Sequence, residues 1–380
     1  MAEPATLVAF VPDEIVCSVL ARVPARSVRR FRAVSRAWRR LLTDRDFLLE
    51  HHLHQPLEPM VAFLHLNFYG DLVYSRFGVK AINFRTGEVR AVTRSDAVAG
   101  DRLSFNDGEA FKIHGSCNGL LLLHFLEAFF VYNPATGQKA SLPPLQSDEV
   151  AALYCYNHGA PLEEYRVLYH RGHGSDKCYY IISLRTLDPR ERIRAIGRPT
   201  FQTSALLTVA LARGPSPAWA SPPLQLHNCL HWPPQEIQEQ HMLVFDTVTE
   251  VFSCMGAPMA RKEGYTMVLL EMDGKLAMSI CRRGDLIVKL FILQDYRHET
   301  WVCAYSVQLP AELNICFDHM DTKGFAFIAS EDGDVLVSTQ QRVLHYNRNG
   351  RRVTDFVPEG FPNYVTIHLL RESLVPHLIA

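Results

Sequence analysis

The chain has 380 residues, 48% of them hydrophobic and 21% charged, the balance of an ordinary globular protein. That length exceeds one ordinary domain and points to two domains, or to a small module joined to a large, repeat-built body. A formal net charge of -1 argues against coating nucleic acid or an anionic membrane, since either needs a large positive field.

The first nine residues read as an acidic N-terminal tail. Met1 to Thr6 carry no basic n-region, and the apolar run Leu7 to Val11 is too short for a signal peptide. No run approaches the roughly 18 apolar residues of a membrane span. The nine cysteines are odd in number and include no C-x-x-C pair, so they read as reduced thiols. The expectation is an intracellular protein, cytoplasmic and/or nuclear.

Residues 12–54 read as helices. Ile15, Val16, Val19, Leu20 and Val23 share one helix face. Pro12 suits a first helical turn, Asp13 and Glu14 suit its positive end, and Pro24 stops it. Ser27 is the expected N-cap of a second helix carrying Val28, Phe31 and Val34. Trp38, Leu41 and Leu42 extend the stripe into a third helix, and Asp46 is the expected cap of a fourth. So few helices cannot enclose a full core. An apolar face should stay open for a partner that need not belong to this chain.

From about residue 60 the chain reads as strands and turns. Ala81-Ile-Asn83-Phe-Arg-Thr-Gly87, Phe130-Val-Tyr-Asn133-Pro-Ala-Thr-Gly137 and Leu243-Val-Phe-Asp246-Thr-Val-Thr-Glu250 are copies of one pattern. Weaker copies centre on Ser183, Gln294 and Asn347. The spacings of 50, 50, 63, 48 and 53 match propeller blades better than a pair of β-sandwiches. The one long spacing holds eight prolines between Pro189 and Pro234, which reads as an inserted surface loop over about 187–236. Asp107-Gly108, Asn118-Gly119, Asp273-Gly274, Asp332-Gly333 and Asn349-Gly350 are candidate type I′ turns. The expected fold is α+β multidomain: a small all-α module, then an all-β, propeller-like domain of about six kelch-like blades.

The helical segment resembles the F-box. Val11-Pro12-Asp13-Glu14-Ile15 matches its opening. Arg22-Val23-Pro24-Ala25-Arg26-Ser27 matches its middle, and Arg30-Phe31-Arg32-Ala33-Val34-Ser35-Arg36-Ala37-Trp38 its close. Val11 and Val23 replace leucines of the familiar form, Ser18 a glutamate and Arg26 a lysine. The remainder is similar to the F-box-associated domain of large plant families, on Gly115-Ser-Cys-Asn-Gly-Leu-Leu-Leu-Leu123, Tyr132-Asn-Pro-Ala-Thr-Gly137, Tyr165-Arg-Val-Leu168 and Asn228-Cys-Leu-His-Trp232. The resemblance implies an F-box over 10–54 and a β domain over 60–370. It implies docking on a Skp-type adaptor, and through it on cullin and RING subunits, with a target protein held by the β domain. Pro12, Ile15, Val19, Leu20, Val23, Pro24, Val28, Val34 and Trp38 are the expected adaptor-binding residues. The implied role is the non-catalytic substrate-recognition subunit of an SCF-type ubiquitin ligase, with no cofactor or metal and no nucleic-acid or membrane partner.

Two other readings stay open: an F-box protein acting outside ubiquitination, and a propeller enzyme with an unrelated helical leader. Gly115-Ser-Cys117-Asn-Gly119 has the outline of a nucleophile elbow, but Asn118-Gly119 runs straight into a leucine strand and reads as a hairpin. His51, His52 and His54, and His227 with His231, read as ordinary histidines rather than metal ligands. The eight arginines between Arg22 and Arg40 read as a solvated face flanking the adaptor interface.

Overall fold

The computed structural model describes residues 13–69, 72–83, 86–99, 111–125, 128–146, 149–156, 164–185, 193–196, 205–215, 222–235, 239–282, 285–313, 325–330, 332–338, 342–356 and 363–377. Four short helices come first: α1 (Asp13–Leu20), α2 (Ala25–Phe31), α3 (Arg36–Leu41) and α4 (Arg45–His54). Ser35 caps α3 by accepting the Trp38 amide, and Asp44 caps α4 by accepting the Asp46 and Phe47 amides. The caps expected at Ser27 and Asp46 are therefore displaced. Pro24, with φ -56° already set for a helix entry, starts α2 three residues earlier, which puts Ser27 inside it. Asp44 reaches the free amides before Asp46 can.

Six four-stranded antiparallel sheets follow among the described residues. The first blade holds β1 (Glu58–Tyr69), β2 (Leu72–Ile82) and β3 (Val89–Ala99). The second holds β4 (Phe111–Cys117), β5 (Leu120–Phe125), β6 (Ala128–Tyr132) and β7 (Lys139–Ser141). The third is β8 (Val150–Tyr156), β9 (Glu164–Arg171), β10 (Cys178–Ser183) and β11 (Ile193–Ile196). Helix α5 (Ala205–Arg213) intervenes before the fourth blade, β12 (Leu224–Leu226), β13 (Cys229–Trp232), β14 (His241–Asp246) and β15 (Val251–Gly256). The fifth is β16 (Tyr265–Met272), β17 (Lys275–Arg282), β18 (Ile287–Asp295) and β19 (Thr300–Gln308). The sixth is β20 (Phe325–Ile328), β21 (Val335–Ser338), β22 (Val343–Tyr346) and β23 (Arg352–Phe356). Strand β24 (Asn363–Leu370) returns to pair with β1 as the first strand of blade one. That pairing completes blade one with a strand from the far end of the described chain and closes the ring.

The core is a ring of seams. Leu122, Phe129 and Val131 of blade two pack on Val150, Tyr165 and Val167 of blade three. Tyr154 and Tyr179 of blade three meet Trp232 and Phe245 of blade four, with Leu207 and Leu211 of α5 wedged into the same cluster. Val61 and Ile82 meet Phe327 and Leu336 where blade six meets blade one. Because neighbouring blades cover both faces, β5 and β21 are buried along almost their whole length and show no clean alternation.

The repeat read from the sequence falls at one structural place, the hairpin between the third and fourth strands of each blade. Its polar residue has a definite task. Asn133 Oδ1 accepts the Ala135 and Thr136 amides at 2.9 and 3.2 Å. Asp246 Oδ1 accepts those of Val248 and Thr249 at 2.8 and 2.9 Å, and Asn347 those of Asn349 and Arg351 at 3.0 Å each. Such side chains imitate a backbone turn. In blade five the task belongs to Asp295, which accepts the Arg297 and His298 amides, so the repeat there is displaced by one residue from Gln294.

Two expectations need correction. Residues 187–236 are not one inserted loop, since they supply β11, α5, β12 and β13. Pro222 and Pro223 stand just ahead of β12, where a strand tolerates proline, and the fully buried Trp232 lies inside the same stretch. Of the candidate type I′ turns, Asn118-Gly119 and Asp273-Gly274 have φ of 47° and 84°, and 50° and 71°. At Asp332-Gly333 and Asn349-Gly350 only the glycine has positive φ, which makes them longer turns. Asp107-Gly108 lies outside the described residues. His227-Asn228, with φ of 51° and 62°, is a turn of the I′ kind that carries no glycine signal.

Candidate functional site

The helical module has two apolar sides. On the inner side Leu20, Ala21, Ala25, Val28, Leu42, Phe47 and Leu48 are buried in one cluster with Ala135, Leu374 and Val375. The last three come from the β6–β7 hairpin and from the segment after β24. Of the stripe expected to stay open for a second protein, this chain therefore covers one side itself. Arg29 Nη1 donates to the Ala135 carbonyl at 2.9 Å, seating α2 on the blade-two hairpin. His51 is buried, with Nε2 on the Val23 carbonyl at 2.9 Å, and burial holds its imidazole below the usual range.

The outer side remains open. Ile15 and Val19, one turn apart on α1, are 54% and 58% exposed, and Val34, in the turn before α3, is 63% exposed. Pro24 is exposed and Val23 half-buried. Trp38 is half-buried against Phe31, ring centroids 5.8 Å apart and planes at 89°, the edge-to-face arrangement aromatic pairs favour.

The nine expected adaptor-binding residues thus divide. Ile15, Val19, Pro24 and Val34 face outward, and Val23 and Trp38 sit at the boundary. Leu20 at 5% and Val28 at 0% exposure are interior, because the faces of α1 and α2 that carry them are filled from the propeller side. Pro12 lies outside the described residues. Leu53 and Leu57, 64% and 41% exposed, add apolar surface that the motif did not single out.

The arginine run is partly structural. Arg32 donates twice to the Leu42 carbonyl, burial lowers its pKa, and Arg39 donates to the Arg32 carbonyl. Arg26, Arg30, Arg36 and Arg40 are exposed. The elbow-like Gly115–Gly119 stretch is the β4–β5 hairpin. A Cβ at Gly115 would stand 2.7 Å from Leu153, so that glycine serves blade contact. Of the tryptophans, Trp232 is core, and Trp301 Nε1 donates to the Gly256 carbonyl at 2.9 Å, tying blade five to blade four. Trp219 lies outside the described residues. Among the described residues no three His, Cys, Asp or Glu side chains are grouped to hold a metal ion.

Four helices with exposed apolar residues, seated on a six-bladed propeller, make a two-module protein. Comparison with known proteins makes the class specific. Residues 11–50 match the model of the F-box domain. An F-box protein of Arabidopsis thaliana is 22% identical over a 395-position alignment that covers 97% of this chain and 98% of that one. A second from the same plant is 23% identical, covering 80% and 74%. An F-box/kelch-repeat protein of the same species is 26% identical over 169 residues, 41% of this chain and 44% of the relative. The match likewise spans under half the length of another relative, 43%. The chain is thus similar to plant F-box proteins: it carries a match to the F-box domain on its helices, and its described residues continue as a six-bladed propeller.

Proposed function

We propose that this F-box protein is the substrate-recognition subunit of an SCF-type ubiquitin ligase, docking a Skp-type adaptor through its helices and a target protein through its propeller. The observation that carries the reading is the exposure of Ile15, Val19 and Val34 on a module whose other side is already filled. Exposed apolar side chains and aromatic anchors are what the centre of a protein interface is made from. The adaptor would bring cullin and RING subunits and a ubiquitin-charged conjugating enzyme. This chain contributes position: holding a target near the charged enzyme raises its effective concentration. On this reading it performs no chemistry itself, and it works in the cytoplasm, the nucleus or both.

The test is capture of a Skp-type adaptor by the full chain, beside the double variant Ile15→Asp/Val19→Asp. The wild type should retain adaptor and the variant should lose it, with unchanged thermal unfolding of the propeller. Equal retention by both would remove the helices from the interface. In a reconstituted ligase, captured targets should acquire ubiquitin. Adaptor binding without ubiquitin transfer would place the protein outside ubiquitination.

A further inference from the structure

Helix α2 begins without a cap of its own. Pro24 precedes it and offers no side-chain acceptor, and no acidic residue stands in its first turn. The first amides of a helix lack partners within it, and that end carries partial positive charge. Both needs are met from 347 residues away. Glu372 Oε2 accepts the Ala25 amide at 3.1 Å, and Oε1 pairs with Arg90 Nη1 at 2.8 Å. The Glu372 carbonyl also accepts His52 Nδ1 at 2.8 Å, so one residue holds the starts of both α2 and the final turn of α4 in place.

The segment carrying Glu372 is itself pinned to the propeller. Asn133 Nδ2 donates to the Ser373 carbonyl at 3.1 Å, and Gln138 Nε2 to the His377 carbonyl at 2.7 Å. His377 stacks edge-on to Tyr165 at 4.9 Å. Gly119, at φ +84°, lies so close beneath that a Cβ would stand 2.5 Å from Ser373 Cβ. Leu374 and Val375 then enter the helical core. The strap thus touches blades one, two and three, and between these contacts sends Leu374 and Val375 into the helices.

We infer that the segment Arg371–His377 is a working part of the adaptor dock, and that Glu372 is a positioning residue for adaptor binding, acting through α2. Helix α2 carries Phe31, the ring against which Trp38 rests, so a frayed α2 loosens the half-buried aromatic at the edge of the open side. The inference rests on the adaptor reading above.

The experiment titrates a Skp-type adaptor into the full chain and follows hydrogen exchange of the α2 amides. Glu372→Ala should weaken adaptor affinity about tenfold, the scale of a lost helix cap. It should speed exchange over residues 25–31 while leaving the propeller amides as they were. Glu372→Gln keeps an acceptor for Ala25 and gives up only the charge, so it should return to within about threefold of wild type. A general loss of structure would not show that rescue. Unchanged affinity and unchanged α2 exchange in Glu372→Ala would overturn the inference and leave the adaptor reading standing. A wild-type chain that binds no adaptor would overturn both. If Glu372→Ala also disturbs the propeller, Glu372→Gln decides: a tenfold loss there rejects capping as the cause.

Discussion

The propeller and the helical module solve the same problem in opposite ways. Each blade covers its apolar faces with its two neighbours, and the β24–β1 pairing removes the gap where the ring would otherwise stay open. The four helices have no such closure. One side is finished by Ala135, Leu374 and Val375, and the other keeps Ile15, Val19 and Val34 in water. The contrast teaches that apolar surface in a closed ring is spent on stability, whereas surface left over in a module too small to enclose itself is available for binding. Substitutions in the two regions should therefore separate stability from affinity.

The largest effect is expected at Trp232, which is fully buried between blades three and four. Trp232→Ala should destabilise the propeller by about 4 kcal/mol, read in denaturant unfolding, with adaptor affinity unchanged wherever the chain is folded. Equal loss of affinity would erase the division between the regions.

Acid should act on the propeller next. His231 Nδ1 donates to the Leu224 carbonyl at 3.3 Å, and the Tyr296 hydroxyl donates to Nε2 at 2.7 Å. Burial pushes this imidazole down to about 4, below the roughly 6.5 of an unfolded histidine. The unfolded chain therefore takes up the proton first. The stability His231 contributes is whole above pH about 6.5 and falls by about 3 kcal/mol as pH drops toward about 4. His114, held well below the usual range by burial, adds in the same direction. Unfolding free energies at pH 7, 5.5 and 4.5 should show the decline, and His231→Gln should flatten part of it. An unchanged slope in that variant would place the acid sensitivity elsewhere.

Trp38→Ala should show the reverse pattern: adaptor affinity weaker by about 2 kcal/mol with propeller unfolding unmoved. Retained affinity would demote Trp38 from interface to packing against Phe31.

The smallest effect sharpens the comparison within the propeller. The third hairpins of blades one and two place glycine at positive φ, Gly87 and Gly137, whereas blades four and five place Glu250 and Glu299 there at 58° and 52°. A non-glycine residue at such φ carries strain, and here the side chain has a use. Glu250 pairs with Arg166 and Arg194 of blade three, and Glu299 accepts the Gly256 amide at 2.7 Å. Glu250→Gln, which keeps the strain and gives up the charge, should cost about 1 kcal/mol. A variant as stable as wild type would show these pairs to be incidental.

Much of this was legible in the residues. The helices follow the apolar spacing, though their starts were displaced from Ser27 and Asp46, and the blade period follows Asn83, Asn133, Asp246 and Asn347, because each repeats one local hydrogen-bonding task. What was local could be read. What failed to read was contact between distant segments. Leu20 and Val28 look identical in pattern to Ile15 and Val19, and only the arrival of Leu374 and Val375 tells inside from outside. Glu372 carries no motif at all. Its one trace is negative, a helix beginning after Pro24 with no capping residue in sight. The strands hidden in 187–236 were missed because Ile193–Ile196 and Leu224–Leu226 are too short for a periodic signal.

The seat of the helices has a geometric corollary. Strands in a blade run alternately up and down, so the first and third hairpins of blades two to six, and the β2–β3 hairpin of blade one, emerge at the same rim. Gly119 belongs to a first hairpin and Asn133 to a third, and both lie under the strap that anchors the helices. The opposite rim, where the second hairpins turn and the chain steps from blade to blade, points away from the helices. Anything gripped there would be carried on the far pole of the molecule, with the full depth of the wheel between it and the helices.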